Sequence, residues 1–130
     1  VRVVFDTNIL VSALVTPGGQ GEAALLRVMS GQDQLVVSRA ILLELLRVLS
    51  EKFGRNDDEL ARVALFLADV GELIEPAVSI HQLSDEPDNR ILECAVSGKA
   101  DVIVTGDKAI LALVAFQGIS MLRLSGYLAR

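Results

Sequence analysis

Short apolar runs alternate with longer amphipathic stretches along this chain. Arg2-Val3-Val4-Phe5, β-branched and aromatic, stops abruptly at Asp6 and reads as a buried strand. A short helix is expected over residues 8–14, closed by the breaker Thr16-Pro17-Gly18-Gly19. Leu25, Leu26, Val28 and Met29 mark a second helix over residues 22–29, and Leu35-Val36-Val37 a second strand. Ser38 then caps a long helix over residues 39–52. Asn56-Asp57-Asp58-Glu59 combines an Asn cap, acids in the first turn and Glu at the capping-box position, and starts a helix running to about residue 70. Residues 73–78 are expected as an edge strand, with Pro76 marking it as peripheral. A helix over 88–97, a strand over 102–105, a helix over 108–115, a strand over 119–122 and a short tail complete the prediction.

Strands that alternate with helices imply a parallel sheet covered on both faces. The expected fold is α/β, a three-layer α/β/α arrangement around a central, mostly parallel sheet. No repeat, linker or low-complexity tract divides the chain, so residues 1–130 are expected to form one domain.

Composition adds two expectations. Apolar residues make up 52% of the chain and its mean hydropathy is +0.49, high for 130 residues, so some apolar surface is expected to lie on a partner or on a second copy. No apolar run approaches the ~20 residues of a membrane span. The chain opens directly on a strand with no basic leader, so no secretory signal is expected. The single cysteine, Cys94, excludes an intramolecular disulfide and fits a reducing compartment, which makes the cytoplasm the expected location. A net charge of −5 argues against nucleic-acid binding when taken alone, because phosphate contacts dominate such affinity. The objection weakens if several acids surround divalent cations.

The acids fall in an informative way. Ligands of open α/β sheets bind beyond the carboxyl ends of the strands. Asp6 follows the first strand directly, and Asp107 follows Val102-Ile103-Val104-Thr105 after one glycine. Glu44 lies in the first two turns of the helix after the second strand, and Asp88 opens a helix from the Asp85-Glu86-Pro87-Asp88-Asn89 loop. Four carboxylates at one sheet edge repel one another strongly unless cations lie between them, and oxygen ligands of this kind suit Mg²⁺ or Mn²⁺. Each acid also has a plainer role: Asp6, Asp88 and Asp107 as helix N-caps, Glu44 as the partner of Arg47 one turn on. Asp57, Asp58 and Glu59 belong to a helix start, His81 has no second zinc ligand at usable spacing, and Cys94 sits among apolar helix neighbours as an inert thiol. No P-loop ending and no nucleophile elbow is present.

With those segments in view, the sequence resembles the PIN-domain family, specifically the short toxin-type (VapC-like) ribonucleases of toxin–antitoxin pairs. Val4-Phe5-Asp6-Thr7-Asn8-Ile9-Leu10 resembles the family's opening motif, with Asp6 as the first metal ligand and Asn8 supporting it by hydrogen bonding. The run from Asp85 through Pro87-Asp88-Asn89-Arg90 to Ala95 resembles the central motif, with Asp88 preferred over Asp85 as its acid. Ala100 to Lys108 is similar to the family's Thr-Gly-Asp block and places Asp107, while Glu44 matches the less sharply defined second acid. Leu124-Ser125-Gly126-Tyr127-Leu128 matches the proline-and-aromatic ending of this subgroup only loosely.

What the resemblance implies is a ribonuclease dependent on Mg²⁺ or Mn²⁺, with RNA as substrate, a protein antitoxin and a homodimer as partners, and no membrane. Thr105 and Asn8 would orient the ligands, and Arg39, Arg90 and Lys108 would hold flanking phosphates. Two other classes stay open at this point. Another magnesium-dependent α/β phosphotransfer domain also carries acids at strand ends, although Asp6-Thr7-Asn8 lacks the second aspartate two residues on that such a phosphatase uses. A non-catalytic PIN-fold binding module is expected to lose one or more of the acids, and here none is lost.

Overall fold

The computed structural model describes residues 1–130 and opens on β1 (Arg2–Phe5). Helices α1 (Thr7–Val15) and α2 (Gln20–Met29) lead to β2 (Gln34–Ser38), which pairs parallel to β1. Helix α3 (Arg39–Phe53) follows at once. The Ser38 hydroxyl accepts the Ile41 N–H at 3.3 Å, and Gly54 takes a left-handed φ of 62° to end the helix. Asn56 and Glu59 close the anticipated capping box of α4 (Asp57–Val70).

Strand β3 (Gly71–Ile74) starts directly from that helix and pairs parallel to β2 at the sheet's edge. An irregular strap over residues 75–85 leads to α5 (Glu86–Ser97), then β4 (Val102–Val104) and the single turn α6 (Lys108–Leu111). β5 (Ala115–Phe116) folds back antiparallel onto β6 (Ile119–Leu122), and α7 (Leu124–Leu128) closes the chain.

The sheet runs β3-β2-β1-β4-β6-β5, parallel except for its last pair. Successive strand residues face opposite sides. Val3, Val4 and Phe5 are all almost fully buried, and so are Leu35, Val36 and Val37, so both faces of the sheet are covered. Helix α5 lies so close to β2 that a Cβ at Gly98 would run into Val36. Tyr127 of α7 meets the Phe5 ring edge-on at 5.7 Å. No single helix is long and apolar enough to cross a membrane.

Three expectations need correction. The edge strand lies two residues earlier than 73–78, because β3 continues straight out of α4. Pro76, which has no N–H to give a ladder, falls in the strap beyond it. The helix expected over 108–115 stops at Leu111. Its remainder turns through Val114, at φ 62°, into β5, and the Gln117-Gly118 turn (φ 50° and 81°) brings β5 back to β6. The tail is a helix, held where Arg27 donates to the carbonyls of Tyr127 (2.9 Å) and Leu128 (2.6 Å).

Candidate active site

The chain runs outward from β1 through β2 to β3 on one side, and through β4 to β6 and β5 on the other. The crevice between β1 and β4 is therefore the switch point at which such sheets bind ligands. Phe5 stands opposite Val104 in this pair, so the residues that follow both strands emerge together. A cleft of about 390 Å³ opens there, lined by Asp6, Glu44, Asp85, Glu86, Asp88 and Asp107, with Arg90 as its one basic residue.

Asp6 sits at the N-cap position of α1, where its carbonyl accepts from Ile9 and Leu10, but its side chain makes no capping bond. The carboxylate instead accepts the Thr105 hydroxyl at 2.6 Å. That hydroxyl is fully buried and itself accepts the Asp107 N–H at 2.9 Å, so one threonine ties the two strand ends together. Burial raises the pKa of Asp6; the bonds from Thr105 and the Thr7 backbone oppose this, and the nearby charges of Asp107 and Glu44 add to it. Asp107 caps α6, with one oxygen accepting from Ala109 (2.9 Å) and Ile110 (3.0 Å). Its second oxygen makes no such bond.

Asp88 stands in the first turn of α5 rather than at its start, since the helix begins at Glu86 with Asp85 as its cap residue. It is 7% exposed and no basic side chain pairs with it. Burial and the carboxylates of Asp107, Asp85 and Asp6 push it up to about 7. Glu44 is half-buried on α3 and pairs with Arg47 at 2.9 Å, while Arg47 also holds Glu51 at 2.8 Å. The plainer role of Glu44 is thus realised alongside its place in the cleft.

All four anticipated acids line one cleft, but as they stand no three of them are close enough to share a single ion. Like charges at such separations repel. The donor set is carboxylate throughout, with no thiol or imidazole in the lining, and this chemistry fits a hard divalent cation.

The supporting residues divide. Thr105 holds Asp6 as anticipated. Asn8 lines the cleft, but no hydrogen bond joins it to Asp6. Arg90 lines it too, with its guanidinium shared between Glu86 (3.2 Å) and Glu93 (2.9 Å). Lys108 is exposed just outside the lining. Arg39 lies outside the cleft, on a neighbouring groove beside Leu43, Pro76 and Val78, because the first turn of α3 carries it away from the β1–β4 crevice. Sequence reasoning missed Glu86 in the lining and the buried pair Asn89 and Glu93 behind it. Polar residues four apart on a helix that also buries Ile91, Leu92, Cys94 and Ala95 were the available signal.

The PIN-domain family model matches residues 2–109. An uncharacterized protein of Methanocaldococcus jannaschii is 30% identical over 117 residues, covering 87% of this chain and 75% of that protein. Two solved structures share the fold. One is VapBC2 from Rickettsia felis bound to a DNA fragment from their promoter, with a TM-score of 0.66 at 18% identity, covering 95% of this chain and 98% of that one. The other is VapBC-1 from nontypeable Haemophilus influenzae, with a TM-score of 0.67 at 18% identity, covering 96% and 99%.

Proposed function

The chain belongs to the PIN-domain family, and from that premise we propose that it is a divalent-metal-dependent ribonuclease, the toxin of a toxin–antitoxin pair. One observation carries the proposal: six carboxylates and a single guanidinium line the cleft at the sheet's switch point. In this reading Asp6, Glu44, Asp88 and Asp107 hold Mg²⁺ or Mn²⁺. When bound, such a cation supplies positive charge to the phosphate and lowers the pKa of an attacking water.

The protein's own residues do the rest. Thr105 fixes the Asp6 carboxylate, and its link to the Asp107 backbone keeps the ends of β1 and β4 in register. Asp107 spends one oxygen on α6 and keeps the other for the ion. Arg47 balances the charge of Glu44, a role that a bound cation would take over. Arg90 and Lys108 hold phosphates beside the scissile bond, and Asn8 contacts substrate rather than Asp6. Arg39 reaches only a phosphate farther along the strand.

RNA is the proposed substrate, all 130 residues form the nuclease domain, and the cytoplasm is its location. A protein antitoxin and a second copy are the proposed partners. Along α3 and α4, Leu45, Leu49 and Leu67 lie in the core, and Leu46, Leu60, Val63 and Val70 are partly buried. Phe53, together with Leu43 and Leu65, remains exposed on α3 and α4 for that contact.

The Glu44–Arg47 pair favours one rival, a binding module that has kept the fold without catalysis. Incubating total RNA with the protein and millimolar Mn²⁺ separates the two. The proposal expects cleavage that stops in EDTA and in Asp6→Asn. Cleavage indifferent to both, or no cleavage by the native protein, contradicts it.

A further inference from the structure

Asn89, Glu93 and Ser97 stand four residues apart on α5 and so share one face of it. Each accepts a backbone N–H from the irregular strap over residues 75–85: Asn89 from Leu83 at 2.9 Å, Glu93 from Ile80 at 2.9 Å and Ser97 from Ala77 at 3.1 Å. The strap has no ladder of its own, so this rail of side chains satisfies backbone groups that a strand partner would otherwise meet. Asn89 does more than accept. It has no exposed surface, and its amide donates to the Leu83 carbonyl at 2.8 Å. With both bonds it exchanges donor and acceptor with a single residue, as a strand partner does. A third contact reaches Glu86 at 3.3 Å.

The strap matters because of where it leads. Two residues beyond Leu83 it reaches Asp85, whose carbonyl accepts the N–H of Asp88 (3.1 Å) and of Asn89 (3.3 Å). Asp85 makes no side-chain cap, and the two bonds between Asn89 and Leu83 tie the first turn of α5 to the strap. That turn carries Asp88 into a cleft where neighbouring carboxylates repel it.

We propose that Asn89 is a positioning residue that sets the place of Asp88 by locking Leu83 to α5, with Glu93 and Ser97 extending the same rail away from the cleft. This rests on the reading of Asp88 as a metal-holding carboxylate. A side chain behind a ligand typically changes metal affinity about 10–100-fold when lost. Ser97 loses the same kind of bond at the far end of the rail and so serves as the internal control.

The test is a calorimetric titration of the full chain with Mn²⁺, alongside amide exchange at Leu83. Asn89→Ala is expected to weaken Mn²⁺ binding about tenfold and to speed exchange at Leu83. Ser97→Ala is expected to bind as the native protein does, even if both variants melt earlier. If Asn89→Ala does not fold, Asn89→Asp keeps the acceptor for Leu83 while losing the donor, and should weaken binding by a smaller factor. Equal affinity in the native protein and the Asn89 variant overturns the positioning role alone. So does an equal loss in the Asn89 and Ser97 variants, which would mark the rail as general support. A native protein that takes up no Mn²⁺ overturns the reading of the site as well, and the positioning role with it.

Discussion

The two ends of the sheet carry similar charges and treat them in opposite ways. At the amino end Arg2 donates to the Gly98 carbonyl at 2.9 and 2.7 Å and pairs with Glu72 at 2.7 Å, while its backbone N–H meets Asp101 at 2.9 Å. Asp33 there accepts the Tyr127 hydroxyl at 2.5 Å. Burial raises this carboxyl, but the Tyr127 hydroxyl, the Val1 amino group and Arg27 together hold it below its usual range. At the carboxyl end, burial raises Asp6 and Asp88, and neighbouring carboxylates raise them further. One end pairs its charges within the fold. The other keeps carboxylates that the fold leaves short of counter-charge, which is what a site for external cations requires.

The largest expected effects come from removing a carboxylate. Asp6→Asn should lower RNA cleavage by at least the ~100-fold that even outer partners of metal ligands reach. It should leave the melting temperature unchanged or raised, since it relieves repulsion. At the paired end Tyr127→Phe should behave in the reverse way, losing about 1–3 kcal/mol of stability with cleavage unchanged. Paired melting curves and cleavage rates check both, and a Tyr127→Phe protein that loses activity first would break the comparison.

Cation binding should distinguish the two ends next. At a hundredfold excess over its Kd, Mn²⁺ should stabilise the folded chain by about 2.7 kcal/mol, and Asp6→Asn should abolish the gain. The pH dependence follows from Asp88, which ordinarily titrates near 3.8 and here near 7. Between those values the folded protein holds a proton that the unfolded chain has released. Metal-free stability contributed by this group therefore falls as pH rises from about 4 to 7. Stabilisation by Mn²⁺ grows over the same window, because ligands must be deprotonated. Melting curves across that range with and without Mn²⁺ should diverge as pH rises, and parallel curves would count against it.

Thr105→Val touches the cleft from below. It removes the hydroxyl between Asp6 and the Asp107 backbone, and should cost about 1.5–3 kcal/mol together with weaker Mn²⁺ binding. Val114→Asn should have the smallest effect. A left-handed β-branched residue costs about 1–2 kcal/mol, and Val114 is 73% exposed, so Asn there should stabilise by roughly 0.5–1 kcal/mol without changing activity.

Elements whose local pattern agrees with their tertiary setting were legible in the sequence. β1, β2, α3 and α4 appear within a residue or two of the expected bounds, and the Asn56–Glu59 capping box is realised as written. The stretch from Ala112 to Ala115 reads as a continuation of the helix by local preference, but pairing with β6 overrides it. The turn that allows this holds both residues at positive φ, and Gln117 lacks the Asn or Asp that usually signals such a turn. At the site, the acids were legible because strand ends and spacing place them. Which residues support them was not, because that depends on side chains meeting across the fold. Asn8 adjoins Asp6 in sequence, yet Thr105, 99 residues away, makes the bond. Arg39 opens the helix that carries Glu44, yet the helix turn points it elsewhere.

The most direct test of the central claim is calorimetric titration of the native chain with Mn²⁺ at pH 7.5, repeated on Asp6→Asn and on Tyr127→Phe. Saturable binding in the native protein and in Tyr127→Phe, lost in Asp6→Asn, is the predicted result. Absence of binding at millimolar Mn²⁺, or binding that survives loss of Asp6, would contradict the claim that the carboxyl end of the sheet is a metal site.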